Sequence, residues 1–218
     1  MPAAFLGIGL QAHAAGGHHA IDDAALVDPG QCQVETWVDR ERGGGRTLLH
    51  VGPACRVGDF ELGANLDRVR HTGLSGSDTV AAWGPQIKWV TPLSDSVNVG
   101  VAVSATWRDV RPRWAGTTVV LPLTWQASPS LAMHVNLGRD FRPHEPSLAR
   151  GGAALEWTAT PQWSFVAERF RESEANFWRL GARYAVNDKV SVDLSQARGL
   201  ARGAPVWWTL GVNWAFNQ

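Results

Sequence analysis

The chain has 218 residues, enough for one large β domain, with 20 basic and 20 acidic residues and a formal net charge of zero. This balance argues against nucleic acid as a partner, because phosphate binding requires a basic excess. The sequence also has no run of about 18 apolar residues, which excludes a membrane-spanning helix but not a barrel, whose hydrophobicity is hidden in alternation.

The first predicted element is an export signal. Residues 3–10 form a short apolar stretch, and Ala12-His13-Ala14 supplies an A-x-A cleavage site. The basic region that normally precedes such a stretch is missing, so we expect the signal to be truncated here. The prediction is a signal peptide over residues 1–14, a periplasmic N-terminal segment over 15–31 and a β-barrel over 32–218. The alternative for the first stretch is a buried strand or helix.

The N-terminal segment contains a candidate metal site. Two histidines and two aspartates within six residues suit a borderline metal ion; they are His18, His19, Asp22 and Asp23. Cleavage after Ala15 would expose Gly-Gly-His, which resembles amino-terminal sites for Cu(II) or Ni(II). The alternative is a polar periplasmic tail or plug, with no cofactor bound.

Two cysteines flank the first predicted hairpin. If Gly43 and Gly44 form a two-residue turn, positions whose numbers add to 87 face each other, and Cys32 and Cys55 satisfy this condition. A disulfide is then geometrically suitable, and disulfides persist in the periplasm. The alternatives are two free thiols or a two-ligand metal site.

Alternating apolar and polar residues predict twelve strands downstream of residue 32. An even number is typical of bacterial single-chain barrels, as are short connections alternating with longer ones. The fold class is therefore all-β, a closed antiparallel up-and-down transmembrane barrel. The strands are predicted at 33–42, 46–55, 57–69, 79–90, 96–108, 116–127, 130–140, 151–159, 163–172, 176–186, 190–198 and 206–216.

Ten of the 12 tryptophans sort by position along these strands, which is typical of two membrane-interface belts. Trp89, Trp125, Trp157, Trp163 and Trp214 lie beside short turns. At or beside the longer loops lie Trp107, Trp114, Trp178, Trp207 and Trp208.

The last predicted strand carries the clearest resemblance. Thr209-Leu-Gly-Val-Asn-Trp-Ala-Phe216 reads polar-x-Gly-x-x-aromatic-x-aromatic and resembles the C-terminal signal of Gram-negative outer-membrane barrels. The whole pattern resembles transporter-type outer-membrane barrels, and Trp83-Gly-Pro-Gln-Ile-Lys-Trp89 is similar to a strand of barrels from aromatic-degradation operons. The resemblance implies two partners, outer-membrane lipid and the barrel-assembly machinery. The alternative is an edge strand of a soluble β-sandwich.

The inward faces of the predicted strands carry mixed charges that could line an aqueous path for a small polar solute. The alternative is a salt-bridge network that fills and stabilises the barrel. The candidate lumen-lining residues are Glu35, Asp59, Glu61, Lys88, Arg108, His134, Glu156, Glu168, Arg179 and Arg183.

A passive pore in the outer membrane is therefore the predicted function. The alternatives are a periplasm-facing copper-type barrel and a structural or lipid-contacting barrel without transport. We expect no enzyme, since the sequence has no G-x-S-x-G motif and His134 is predicted to face the lumen rather than the lipid.

Overall fold

The structure is a computed structural model that describes residues 17–73 and 76–218. The predicted signal peptide, residues 1–14, lies outside the described residues and stays a prediction. Among the residues described, no helix is long and apolar enough to cross a membrane. The strands in these ranges are β1 (Gln31–Glu41), β2 (Arg46–Val57), β3 (Phe60–Gly73), β4 (Gly76–Ser94), β5 (Val97–Arg108), β6 (Trp114–Ser128), β7 (Leu131–Phe141), β8 (Leu148–Thr158), β9 (Trp163–Glu172), β10 (Ala175–Asn187), β11 (Val190–Gly199) and β12 (Val206–Asn217).

The strands close into one barrel. Each pairs antiparallel with its neighbours in sequence, and β1 also pairs with β12. The seam between β1 and β12 keeps an unbroken register from Gln31 opposite Asn217 to Glu41 opposite Trp207. The predicted closed antiparallel barrel of twelve strands is confirmed, and a sandwich with free edges is excluded.

Some other strand pairs are interrupted, unlike the seam. The β4–β5 ladder has no register partners for Gly84 and Pro85. A Cβ atom on Gly84 would lie 1.6 Å from the carbonyl oxygen of Ala105, so this close approach requires glycine.

The alternation places an apolar surface outside the barrel. In β12, Trp208, Leu210 and Trp214 are exposed, whereas Thr209 and Gly211 between them are buried. Side chains of successive strand residues point to opposite faces, so the exposed set is the outer face. A belt of this composition suits lipid rather than water; further members are Leu62, Leu66, Ile87, Leu121, Leu137, Leu155, Phe165, Leu180 and Leu194.

The tryptophan positions match the predicted belts with one correction. Trp89, Trp125, Trp157, Trp163 and Trp214 are exposed on the outer face near the short-turn end. Trp207 was assigned to the other belt, but it is only 7% exposed and packs edge-on against Phe177 inside the barrel. Its neighbour Trp208 takes the outward position, as the alternation of β12 requires.

The two ends of the barrel differ in their connections. One end has tight turns such as 58–59, 95–96 and 129–130, and the other has longer loops such as 109–113, 142–147 and 200–205. Strand β3 begins at Phe60 rather than residue 57, so Asp59 lies in a turn. The chain enters β1 at the short-turn end.

The predicted disulfide is present between Cys32 and Cys55, whose Cα atoms lie 4.0 Å apart on paired positions of β1 and β2. Replacing both cysteines with serine should lower the free energy of unfolding by about 3 kcal/mol, because the cross-link closes a loop of 23 residues. Denaturant unfolding of the variant and of reduced wild-type protein measures this. Equal stability of the oxidised and reduced proteins would contradict it.

Candidate functional site

The candidate site is the barrel lumen, and residues 17–27 of the chain's own N-terminal segment occupy it. Ile21 is 0% exposed, and His18, Asp23 and Ala24 are also buried. Their polar contacts are with inward side chains of the strands, so the segment lies inside the barrel. The sequence predicted a periplasmic segment, with a tail or plug as the alternative; residues 17–27 lie within the lumen, where the wall supplies partners for their backbone.

The wall binds the backbone N–H groups of the segment through oxygen acceptors. Ile21 donates to a Glu168 carboxylate oxygen at 3.0 Å, and Ala20 donates to the other at 3.3 Å. Ala24 donates to the Thr124 hydroxyl at 2.8 Å. Val27 donates to Glu61 at 2.9 Å.

The carbonyl groups of the segment find donors on the same wall. Arg179 donates to the carbonyl of His18, and Arg56 donates to that of Val27 at 3.5 Å. With its amide turned so that the nitrogen faces the Asp22 carbonyl, Asn136 donates to that carbonyl at 2.8 Å and accepts from the Asp22 N–H at 2.7 Å. The barrel therefore satisfies the main chain of an irregular segment that has no strand partner.

One lysine forms ion pairs with the acidic side chains of the segment. The Lys88 ammonium lies 2.9 Å from Asp22 Oδ1 and 3.1 Å from Asp23 Oδ1. Lys88 is only 5% exposed and faces Glu61 across the β3–β4 pair. Burial of these charges is tolerated because each lies beside an opposite one.

Two arginines of β10 make ion pairs along the opposite wall. Arg179 contacts Glu168 at 2.9 Å, and Arg183 contacts Asp193 at 2.6 Å. Glu168 thus contacts both the wall arginine and the segment backbone. These pairs leave a lumen of mixed charge rather than one dominated by a single sign.

A buried polar chain joins three further strands. The His134 Nδ1 atom lies 2.9 Å from the Thr124 hydroxyl, and its Nε2 atom lies 3.4 Å from Glu156. His134 faces the lumen, as the alternation predicted. Because the Thr124 hydroxyl also accepts the Ala24 N–H, the histidine supports a contact to the segment.

The remaining lumen candidates differ in position. Glu35 lies on the inward face of β1, opposite Asn213. Asp59 is exposed in the β2–β3 turn, and Arg108 is exposed at the loop end of β5. For Asp59 the lumen assignment is wrong because the preceding strand ends at Val57 and the alternation does not continue through the turn. Arg108 lies at the rim, where its strand ends.

The four metal candidates do not come together on one ion. Asp22 and Asp23 bind Lys88, His18 Nε2 lies 2.6 Å from the Ser195 hydroxyl, and His19 lies 3.5 Å from Glu168. Burial lowers the pKa of His18 well below its ordinary value, and the charges of His19 and Arg179 lower it further. Within residues 17–73 and 76–218, no group of three or more His, Cys, Asp or Glu residues is arranged to hold a metal.

Several residues that contact the segment were not among the predicted lumen residues. Thr124, Ser195 and Arg56 lie on inward faces, yet our selection favoured central charged residues. An apolar pocket was missed as well: Ile21 packs with Phe170, Phe177 and Trp207. Alternation places these aromatic residues inward, but only barrel closure shows that they meet Ile21.

Comparison with known proteins places the chain in a family. Residues 4–216 match the family described as "Uncharacterised conserved protein UCP029691". The chain belongs to this family. No curated protein matches it.

Solved structures share the barrel at low sequence identity. The KdgM porin is 8% identical with a TM-score of 0.68, over 85% of this chain and 99% of that one. The COG4313 outer membrane channel from Pseudomonas putida F1 is 12% identical with a TM-score of 0.61, over 89% and 98%. The toluene transporter TbuX from Ralstonia pickettii is 9% identical with a TM-score of 0.58, over 90% and 92%. The predicted likeness to outer-membrane barrels is confirmed at the level of the fold.

Proposed function

We propose that the protein lies in the outer membrane and provides passive passage for a small polar solute. The observation that carries this proposal is the closed barrel, apolar outside and lined inside by ion pairs such as Arg183 with Asp193. The outer belt suits lipid, and the C-terminal strand suits recognition by the assembly machinery. The short-turn end, where the chain enters β1, then faces the periplasm.

Supporting this proposal, the similar structures include proteins named as porins and an outer membrane channel. The mixed wall can contact both the positive and the negative groups of a polar solute, since acids and bases are paired along the lumen. Catalysis and metal handling are less well supported. His134 is engaged by Thr124 and Glu156, and the two segment aspartates are engaged by Lys88.

Planar-bilayer recording of the purified, folded protein tests the proposal. We expect discrete ion-carrying steps, rare in the wild type because residues 17–27 lie in the lumen, and frequent when that segment is displaced by the substitutions described below. If both proteins are folded and neither conducts, the pore function is wrong and a structural barrel is favoured.

A further inference from the structure

Residues 18–27 are bound in the lumen as a peptide ligand is bound. The wall makes hydrogen bonds to both kinds of main-chain group. Glu168, Thr124 and Glu61 accept from N–H groups of the segment, and Arg179 donates to a carbonyl. The Asn136 amide meets both the N–H and the C=O of Asp22, so one side chain makes hydrogen bonds to two adjacent peptide groups. Because every peptide carries these main-chain groups, contacts of this kind recognise a peptide largely independently of its side chains.

Two side-chain contacts add selectivity to this main-chain recognition. Ile21 is enclosed by an aromatic pocket that includes Phe170 and Trp207, which suits an aliphatic side chain. The next two residues, Asp22 and Asp23, meet the ammonium of Lys88. The wall therefore fits an aliphatic residue followed by acidic ones.

The segment also spans the lumen from wall to wall. Its partners lie on β3 at Glu61, β4 at Lys88, β6 at Thr124, β7 at Asn136 and β9 at Glu168. Only residues 28–30 separate Val27 from the start of β1. A tether this short holds a ligand at an effective concentration on the order of millimolar, so the segment stays bound with modest intrinsic affinity.

We propose that the lumen wall is a binding site for an acidic peptide, that residues 18–27 are its resident ligand, and that peptides of this class are the solutes that compete for it. The inference rests on the proposed pore function and names its solute class. The bound segment closes the pore, and its displacement opens it. No strand has to break for this exchange, because the segment itself contributes none to the sheet.

A charge-reversal series in the full chain tests the closed state. The substitutions Asp22→Lys and Asp23→Lys place two new positive charges beside the Lys88 ammonium. We therefore expect the fraction of time that the pore is open in planar bilayers to rise about tenfold or more. Adding Lys88→Glu to this variant should restore the closed state. Asp28→Lys is the matched control, since Asp28 lies in the short link before β1, and it should behave like the wild type.

A synthetic peptide of residues 17–28 then tests the site itself. Added to the open double variant, it should block the current in proportion to its concentration. A peptide with lysine at positions 22 and 23, and one N-methylated at Ile21 to remove the donor to Glu168, should block at least about tenfold more weakly.

The outcomes separate the two ideas. Folded variants that stay silent would overturn the pore function. A double variant that conducts but matches the wild type in open fraction would overturn closure by the segment. If the variant conducts and all three peptides block it equally, or none of them blocks it, the proposed peptide site is wrong while the pore function is retained. Heat-modified electrophoretic mobility verifies folding of each barrel.

Discussion

Replacing Lys88 with methionine should release residues 22 and 23 from the wall and lower the free energy of unfolding by about 3–5 kcal/mol. Lys88 is the cation in contact with both Asp22 and Asp23, and it also faces Glu61 across the β3–β4 pair. Methionine keeps most of the length of the lysine side chain but removes the charged ammonium group. The buried carboxylates then lose their counter-ion, which is costly in a site shielded from water.

The chain's other lysine offers a matched control. Lys189 is exposed in the β10–β11 turn, so Lys189→Met should leave stability nearly unchanged. Denaturant unfolding in lipid vesicles compares the two variants, and limited proteolysis of the segment reports its release. Equal stability of the two methionine variants, with the segment still protected, would show that the lumen ion pairs contribute little.

A charge on the outer face should lower the stability of the barrel by a comparable amount, because that face contacts lipid. Leu137 is 67% exposed near the middle of β7, on the face that we assign to lipid. Leu137→Arg should lower the free energy of unfolding in a bilayer by about 2–4 kcal/mol, because a cation is costly near the bilayer midplane.

Leu137→Ala separates charge from lost apolar area at the same position. It should cost clearly less than the arginine variant, since alanine remains compatible with lipid. The measurement is reversible unfolding of both variants in vesicles of one lipid composition. If arginine and alanine cost the same, the outer face of β7 does not meet hydrocarbon at that depth.

The strands of the barrel wall could be predicted from the sequence because the alternation and turn patterns that specify them are local. Alternation in each strand fixes which side chains face inward, and Lys88, His134 and Arg179 are buried in the structure. The β1–β2 register followed from the glycine turn, and it brought Cys32 opposite Cys55. Asp59 shows the limit: a strand that begins a few residues later than expected removes a residue from the pattern altogether.

The contents of the lumen could not be predicted in the same way. Residues 17–27 have no periodic pattern, and their partners are contributed by strands that are far apart in sequence. Glu168 binds Ile21 across 147 positions of the chain, a relation that exists only after the barrel closes. The same holds for Trp207, whose inward position follows from alternation but whose contact with Phe177 does not.

The seam between β1 and β12 limits the routes that a solute could take through the proposed pore. Its hydrogen-bonded register runs without a gap from the short-turn end to the loop end, so there is no sideways gate between these strands through which the lumen meets the lipid. At this seam the wall is closed, so in the proposed pore a solute beside β1 and β12 moves along the barrel axis. A continuous seam does not favour delivery of a solute into the bilayer core. It is compatible with passage through the proposed pore from the external water to the periplasmic water.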